Sequence, residues 1–233
     1  MKKVLGILGG MGPQATIDLQ QKILNLTVAS CDAEHMRVYV DNHAQIPDRV
    51  EAVLYNGPSP APFMQESLDK LVAMGASCIA MPCVSAHYFL PDLNIPPQVL
   101  FLDMLQIAAR VSASNFTGKK AGILCTVGTA KNGIVTRAMD SASIPCLYPQ
   151  EQDQKLVESY IREVKAGSDL SAPADGLRVI TAEMVSRGAD YFVLACTELP
   201  ILVQFRSLPY PCLDATTELA KAAILSCGYE LKK

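Results

Sequence analysis

The sequence contains two strand-and-loop units that recur at nearly the same spacing. Each unit joins Gly-Ala to an apolar run that ends in a cysteine, and the units run from Gly75 to Cys83 and from Gly188 to Cys196. The second cysteine follows the first by 113 residues. A shorter echo upstream, Gly6-Ile7-Leu8 and Gly122-Ile123-Leu124, recurs after 116 residues. Repeats of this kind predict two similar α/β lobes that face each other.

Short apolar runs alternate with amphipathic stretches along the chain. They predict strands near 3–8, 37–41, 77–81, 98–102, 121–125, 144–148, 191–195 and 209–213, and helices near 13–27, 63–74, 130–140, 151–166, 173–187 and 215–225. Strands that alternate with helices form parallel sheets, whose ligand sites lie beyond the carboxyl ends of the strands. We therefore expect an α/β protein of two similar α/β/α lobes with mainly parallel sheets. A pseudo-twofold axis should relate the lobes, with the active site in the interlobe cleft.

Prolines mark the boundary between the two predicted lobes. Pro91, Pro96 and Pro97 punctuate the chain shortly before residue 100, and clustered prolines are typical of loops. The last helix is expected to pack back on the first lobe. The predicted first lobe therefore comprises residues 1–100 and 212–233, and the second comprises residues 101–211.

Composition excludes several classes of partner. The formal net charge is -3 and the pI is about 5.6, and no basic cluster is present to bind nucleic acid or an anionic membrane. Glycines at 9, 10 and 12 interrupt the apolar start before a signal peptide or a membrane span forms. Several of the eight cysteines lie in or beside strand-like runs, which favours reduced thiols over a disulfide framework. We expect a cytoplasmic protein.

The two repeated cysteines indicate acid–base chemistry. If the lobes are related by pseudo-twofold symmetry, Cys83 and Cys196 approach a ligand from opposite faces. One thiolate then removes a proton from carbon, and the other thiol returns one to the opposite face. Thiolates suit this task because their reference pKa, about 8.5, is readily lowered. Glu198 should disfavour a thiolate at Cys196 and His87 should favour one at Cys83, so we hypothesise that Cys83 rests as thiolate and Cys196 as thiol.

Hydroxyl and glycine residues at the strand ends are candidates for binding a carboxylate. Ser85 and Thr197 are expected at helix starts, where a hydroxyl either caps backbone N–H groups or binds the substrate. The equivalent loops that follow the first strand of each lobe add Gly10, Met11, Gly12, Thr126 and Thr129. For Gly12 the alternative is a plain turn glycine.

Five motifs spread over nearly the whole chain form a specific set. They are Gly6-Ile7-Leu8-Gly9-Gly10-Met11-Gly12-Pro13, Gln45-Ile46-Pro47-Asp48-Arg49, Met81-Pro82-Cys83 with Ala86-His87, Val164-Lys165-Ala166-Gly167, and Cys196-Thr197-Glu198. This set resembles the aspartate/glutamate racemase superfamily, most closely its aspartate racemase branch. The resemblance implies two-base racemisation by the paired cysteines without pyridoxal phosphate or another cofactor, in two lobes and commonly as a homodimer.

The resemblance also implies roles for two cations. Arg49 and Lys165 match the residues that hold the substrate carboxylates in the aspartate branch, and arginine grips a carboxylate in a bidentate way. The implied substrate is a small dicarboxylic amino acid, aspartate first. Taken alone, Arg49 would cap a surface loop and Lys165 would lie in the last turn of a helix before Gly167.

The first cysteine motif departs from the family pattern. The family usually has Cys-Asn-Thr there, whereas this chain has Cys83-Val84-Ser85. Valine makes no polar contact with a substrate, although Ser85 keeps a hydroxyl. Ala195 replaces the usual glycine before the second cysteine. Two alternatives therefore stay open: a related racemase or isomerase of the glutamate, hydantoin or maleate type, and a dicarboxylate-binding homologue with weak turnover.

Two further interpretations explain less of the sequence. The segment Gly10-x-Gly12-x-x-Ala15 loosely matches a dinucleotide-binding fingerprint, but Asp41 follows Gly12 by 29 residues rather than about 20. That interpretation also leaves the repeated cysteines unexplained. A metal site from Cys78, Cys83 and His87 lacks the paired-cysteine spacing of such sites. We expect no nucleotide cofactor and no metal.

Overall fold

The computed structural model describes residues 2–232 and contains two four-stranded sheets with parallel strands throughout. The strands are β1 Leu5–Gly9, β2 Val38–Asn42, β3 Cys78–Ala80, β4 Leu100–Leu102, β5 Ala121–Leu124, β6 Cys146–Leu147, β7 Tyr191–Leu194 and β8 Cys212–Asp214. Their order is β2-β1-β3-β4 in the first sheet and β6-β5-β7-β8 in the second. The predicted α/β class with two similar parallel sheets is thereby confirmed.

Ten α-helices lie between or after these strands within the described residues. They are α1 Pro13–Leu26, α2 Arg49–Leu54, α3 Ala61–Ala73, α4 Met104–Asn115, α5 Val127–Asn132, α6 Ile134–Ser141, α7 Glu151–Ala166, α8 Ser171–Ser186, α9 Leu199–Phe205 and α10 Ala215–Ser226. Two short 3-10 helices cover Asp32–Glu34 and Ser85–Asp92. No helix in residues 2–232 has the length and apolar character needed to cross a membrane.

The chain divides into two compact units, each built around one sheet. One unit holds the described residues up to Ile107 together with those from Thr216 onward, and Ala108–Ala215 form the other. Backbone bonds tie the end of the chain into the first unit, since Lys3 N–H donates to the Cys227 carbonyl at 3.0 Å and Val28 N–H to Glu230 at 2.9 Å. The last strand, β8, therefore belongs to the second unit, whereas most of the last helix, α10, belongs to the first.

Helix α7 shows how the sequence positions a site residue. Its buried positions, Gln154, Val157, Ile161 and Val164, follow helical spacing and face one core. The helix ends at Gly167, whose φ of 68° lies in the left-handed region. There the N–H groups of Gly167 and Ser168 satisfy the carbonyls of the last turn. This cap holds Lys165, the residue two before it, in the final turn.

A mid-strand glycine brings the two central strands of each sheet close together. Gly6 on β1 is in register with Ile79 on β3, and Gly122 on β5 is in register with Phe192 on β7. A β-carbon on Gly6 would approach Ile79 Cδ1 to 2.7 Å, and one on Gly122 would approach the Phe192 ring to 2.7 Å. The repeated Gly-Ile-Leu triplet is therefore a packing requirement of both sheets.

The helices differ from the sequence prediction in four places. The predicted helix at 130–140 is divided into α5 and α6 because Gly133 adopts a left-handed conformation with φ of 69°. Helices α2 and α9 are only six and seven residues long, too short for periodicity to indicate them. Helix α4 was not predicted, although the Asp103 carboxylate accepts from the N–H groups of Leu105 and Gln106 at its start, which is a recognisable capping pattern.

We expect Gly122→Ala to lower the free energy of unfolding by about 1–3 kcal/mol, because its methyl group overpacks the Phe192 ring. Urea unfolding of the wild type and the variant measures this. The matched control is the same substitution in a Phe192→Leu background, where the ring edge is gone and the loss should shrink. An equal loss in both backgrounds would contradict the packing explanation.

Candidate active site

In the first unit, the loop after β1 is fixed by one threonine of α1. The Gly10 N–H donates to Thr16 Oγ1 at 2.9 Å, and Thr16 Oγ1 donates to the Gly12 carbonyl at 3.1 Å. Gly10 has φ of +90°, and a β-carbon there would approach the His43 backbone to 2.3 Å. Only glycine fits this position. The loop therefore presents Met11 and Gly12 at the carboxyl end of β1 in one fixed shape.

Arg49 lies at the start of α2, where its side chain reaches back to this loop. Nη2 donates to the Met11 carbonyl at 3.2 Å, and Nη1 donates to the carbonyls of Ile46 at 3.3 Å and Pro47 at 3.0 Å. The residue is only 8% exposed. Its Nε is buried without a hydrogen-bond partner among the described residues. A buried cation whose partners among the described residues are carbonyl groups is suited to binding an anion.

Cys83 follows β3, the neighbour of β1, and ends in the same apolar cluster as Met11. Its N–H donates to the Met81 carbonyl at 2.9 Å, which turns the chain sharply after the strand. Cys83 is 5% exposed and packs in one cluster with Met11 and Ile46. Val84 is buried beside it, and Ser85 begins the 3-10 helix that follows. The first unit thus brings together Met11, Gly12, Arg49 and Cys83.

His87 does not supply a positive charge to Cys83. Its Nε2 accepts from the Met104 N–H at 3.1 Å, so Nδ1 carries the proton and donates to the Cys83 carbonyl at 2.8 Å. Burial lowers the pKa of His87, and the charge of Asp103 and the bond to Cys83 only partly oppose this. The expectation that His87 favours a thiolate through its charge is therefore wrong. The ring instead fixes the backbone at Cys83 to the start of α4.

In the second unit, Cys196 follows β7 and hydrogen-bonds a carboxylate. The thiol donates to Glu198 Oε2 at 3.0 Å, and Thr197 Oγ1 donates to the same oxygen at 3.3 Å. Cys196 is 7% exposed and Glu198 is 2% exposed. Glu198 Oε1 is buried without a hydrogen-bond partner among the described residues. Thr197 lies two residues before the start of α9 rather than at it.

The surroundings of Cys196 favour its protonated form. Burial raises the pKa of the thiol well above its ordinary value, and the negative charge of Glu198 raises it further. The positive charge of Lys165 opposes these effects. Lys165 therefore lies close enough to act on Cys196, although its own side chain is exposed. The hypothesis that Cys196 rests as thiol stays a prediction, and these effects on its pKa support it.

Thr126 and Thr129 form a pair at the carboxyl end of β5. The Thr126 hydroxyl accepts from the Thr129 N–H at 3.2 Å, which caps α5, and donates to Thr129 Oγ1 at 2.9 Å. Two residues of α7 anchor this loop from behind. Gln154 Nε2 donates to the Cys125 carbonyl at 2.7 Å, and Glu158 Oε2 accepts from the Val127 N–H at 2.8 Å.

Sequence analysis missed three of these anchors: Thr16, Gln154 and Glu158. A signal was present for Gln154, because it is a polar residue in the otherwise apolar buried stripe of α7. Such a residue needs a buried partner. Glu158 carried no comparable signal, since it anchors a loop 31 residues away in sequence, and Thr16 carried none although the loop it fixes lies only four to six residues before it.

No group of three or more His, Cys, Asp or Glu side chains suited to a metal ion occurs in residues 2–232. All eight cysteines are free thiols. The candidate functional groups are therefore two thiols, one carboxylate and several hydroxyls in the loops after the strands, together with two cations, at the start of α2 and in the last turn of α7.

Comparison with known proteins identifies the family of this chain. The sequence profile of the Asp/Glu/Hydantoin racemase family matches residues 8–223. The chain belongs to this family. The resemblance predicted from the sequence motifs is confirmed, and so is the enzyme class, an amino-acid racemase, which is an isomerase.

Similar proteins support this assignment along the whole chain. RacX, a broad-specificity amino-acid racemase of Bacillus subtilis, is 25% identical over 234 residues, which span 95% of this chain and 96% of the relative. The structure of Picrophilus torridus aspartate racemase has a TM-score of 0.89 and 31% identity, with 99% of this chain and 96% of that chain covered. Glutamate racemase RacE1 of Bacillus anthracis has a TM-score of 0.66 at 14% identity, with 97% and 82% covered, and shares the fold.

We expect the stability of this racemase to fall as the pH drops through the ordinary histidine pKa of about 6.5, in part because of His87. The folded-state pKa of His87 is lowered, so below that pH the unfolded chain takes up a proton that the folded chain resists. His87→Gln should reduce the difference in unfolding free energy between about pH 7.5 and about pH 5. Urea unfolding at both pH values measures it. His35→Gln controls for the removal of one histidine, and an unchanged difference in His87→Gln would refute the assignment.

We expect opposite effects of two charge-removing variants on the reactivity of Cys196. Glu198→Gln removes a negative charge that raises the thiol pKa, so alkylation at a fixed pH should become faster. Lys165→Met removes the opposing positive charge, so alkylation should become slower. Iodoacetamide labelling with peptide mapping measures both rates. Shifts in the same direction would show that access to the thiol, and not charge, controls its reactivity.

Proposed function

We propose that this racemase interconverts L- and D-aspartate by proton transfer between the α-carbon and two cysteines, Cys83 and Cys196, without an organic cofactor. One observation carries the proposal. Both sheets have the same strand order. In each sheet the strand that is third in chain order, β3 or β7, leads into a free, buried cysteine. Two thiols in matching places suit a reaction that needs a proton acceptor and a proton donor on opposite faces of one carbon.

The reaction balances with the two thiols alone. Cys83, as thiolate, takes the α-proton, the C–H bond breaks, and the electron pair delocalises onto the α-carboxylate. Cys196, as thiol, then gives its proton to the other face of the same carbon. The product is the opposite enantiomer, with Cys83 as thiol and Cys196 as thiolate. The reverse sequence converts the other enantiomer, and proton exchange with water resets either form.

The hydrogen bond from Cys196 to Glu198 supports the assignment of Cys196 as the resting donor. A thiol that donates to a carboxylate at 3.0 Å is protonated in that arrangement. Burial and the Glu198 charge both raise its pKa. In this proposal Cys83 is the base for one enantiomer, and Cys196 becomes the base only after it has given up its proton.

Two cations and several hydrogen-bond donors support a dicarboxylic substrate. Arg49 has a buried Nε without a partner among the described residues, and the positive charge of Lys165 lies near Cys196. We assign these two residues to the two carboxylates of aspartate. Further contacts come from the Met11 and Gly12 backbone and from four hydroxyl groups, those of Ser85, Thr126, Thr129 and Thr197. The similarity to Picrophilus torridus aspartate racemase favours the same substrate.

Val84 keeps a second substrate class open. It is 2% exposed beside Cys83 and offers no polar group where the family usually has asparagine. A broad-specificity relative is also similar along the whole chain. Glutamate is the first alternative, followed by hydantoin or maleate-type acids, and a dicarboxylate-binding protein with weak turnover is the last. The predicted homodimer and cytoplasmic location rest on the family resemblance and on composition.

The test follows α-proton exchange by NMR. We expect L- and D-aspartate incubated with the protein in deuterium oxide to lose the α-proton signal, because the returned proton comes from a thiol that has exchanged with solvent. Cys83→Ser and Cys196→Ser should each lower the rate of racemisation by a factor of about 100 or more, because a serine hydroxyl is a far weaker acid than a thiol and does not ionise to act as a base near neutral pH.

Cys146→Ser is the matched control, since Cys146 is a half-buried thiol of β6 outside the strand-end loops. It should keep wild-type exchange. L- and D-glutamate are run beside aspartate. If glutamate exchanges its α-proton and aspartate does not, glutamate is the substrate instead of aspartate. Exchange that survives in both cysteine variants would overturn the two-base mechanism.

A further inference from the structure

Only one of the two carboxylate oxygens of Glu198 has a hydrogen-bond partner among the described residues. Oε2 accepts from the Cys196 thiol at 3.0 Å and from Thr197 Oγ1 at 3.3 Å. Oε1 accepts no hydrogen bond from any described residue, and the side chain is 2% exposed. A buried acceptor without a donor is destabilising, and more so when it carries charge. A retained group of this kind calls for a partner from outside the chain.

The missing partner must supply N–H or O–H donors, and a positive charge would match the carboxylate best. It must also fit beside the Cys196 thiol, because both oxygens belong to one carboxylate. In the proposed reaction, the atom next to that thiol is the α-carbon of the substrate. The group bonded to the α-carbon that carries positive charge and N–H donors is the ammonium group.

We propose that Glu198 Oε1 binds the α-ammonium group of the substrate and thereby selects free α-amino acids over substrates that lack an ammonium group. This inference rests on the proposed function and specifies its substrate class. It places the α-carbon one bond from the nitrogen at Oε1, within reach of the thiol at Oε2. A single carboxylate then orients both the substrate nitrogen and the proton donor.

Val84 strengthens the inference. The residue that follows the first cysteine is buried and apolar in this chain, so it offers no acceptor to an ammonium group. Glu198 lies two residues after the second cysteine, and its Oε1 is an acceptor without a hydrogen-bond partner among the described residues. Recognition of the ammonium group is therefore assigned to the second unit.

Glu198 also has a rival role, as a positioning residue that only holds Cys196 in its protonated form. The two roles predict different ligand dependence. An ammonium site affects ligands that carry an ammonium group, whereas a positioning residue affects turnover and leaves the relative affinity of ligands unchanged. Succinate has the two carboxylates of aspartate without its amino group. Comparing the affinities for aspartate and succinate therefore separates the two roles.

The experiment is isothermal calorimetry with aspartate and with succinate. Racemic aspartate is used because turnover does not change its composition. Wild type should prefer aspartate. Glu198→Gln should weaken aspartate binding by about 10- to 100-fold, the range expected for one hydrogen bond to a charged group, and leave succinate within about threefold or tighter. Glu198→Asp keeps the charge and should retain part of the preference. Glu183→Gln, in α8, repeats the substitution at a half-exposed carboxylate that pairs with Arg187, and should match wild type.

The outcomes are distinguishable from those of the exchange experiment. If wild type exchanges the α-proton of aspartate but Glu198→Gln weakens both ligands equally, or neither, the ammonium site is wrong and the proposed function stands. If wild type exchanges no amino acid and binds neither ligand, the proposed function fails and the ammonium site fails with it. Thermal unfolding checks that each variant is folded. If Glu198→Gln does not fold, the aspartate and succinate affinities of Glu198→Asp decide whether the ammonium site exists.

Discussion

Close pairing of the two central strands in each sheet determines where the candidate site residues lie. Glycines at 6 and 122 leave room for Ile79 and Phe192, their partners in the parallel register of the neighbouring strand. Because parallel strands end at the same edge, the loop after β1 adjoins the loop after β3, and the loop after β5 adjoins that after β7. A larger residue at either glycine would push these strands apart and misalign both loops.

The two units repeat their scaffold but not their electrostatics. In the first unit, the group beside the strand-end loop is a guanidinium bonded to backbone carbonyls, and the histidine after Cys83 is neutral and tied to backbone. In the second unit, the corresponding cysteine hydrogen-bonds a carboxylate. Topology is fixed by strand pairing, which tolerates many side chains at the loops. Charge is fixed by the few residues that follow each strand, so it is free to differ.

Sequence periodicity was sufficient for the strands and for the repeated cysteines, because both depend on local patterns. It failed where structure depends on contacts between distant segments. The neutral state of His87 follows from the Met104 N–H, seventeen residues away, and the placement of Arg49 follows from a carbonyl of the β1 loop. The spacing of Glu198 to Cys196 indicated repulsion correctly. It gave no sign of the unpartnered oxygen, since the direction of a side chain depends on the backbone after β7.

A two-base racemase needs its two thiols in opposite protonation states, and identical surroundings would not provide them. With equal proton affinities, many molecules would hold two thiols or two thiolates, and neither form can both remove and return a proton. In this chain, burial and Glu198 raise the pKa of Cys196, and the thiol hydrogen-bonds that carboxylate. In the proposed reaction this raised pKa also opposes catalysis, because Cys196 would have to lose its proton beside a negative charge. An ammonium group bound at Oε1 would offset that charge when the substrate is present, so the same carboxylate would protect the resting thiol and permit its ionisation in the complex.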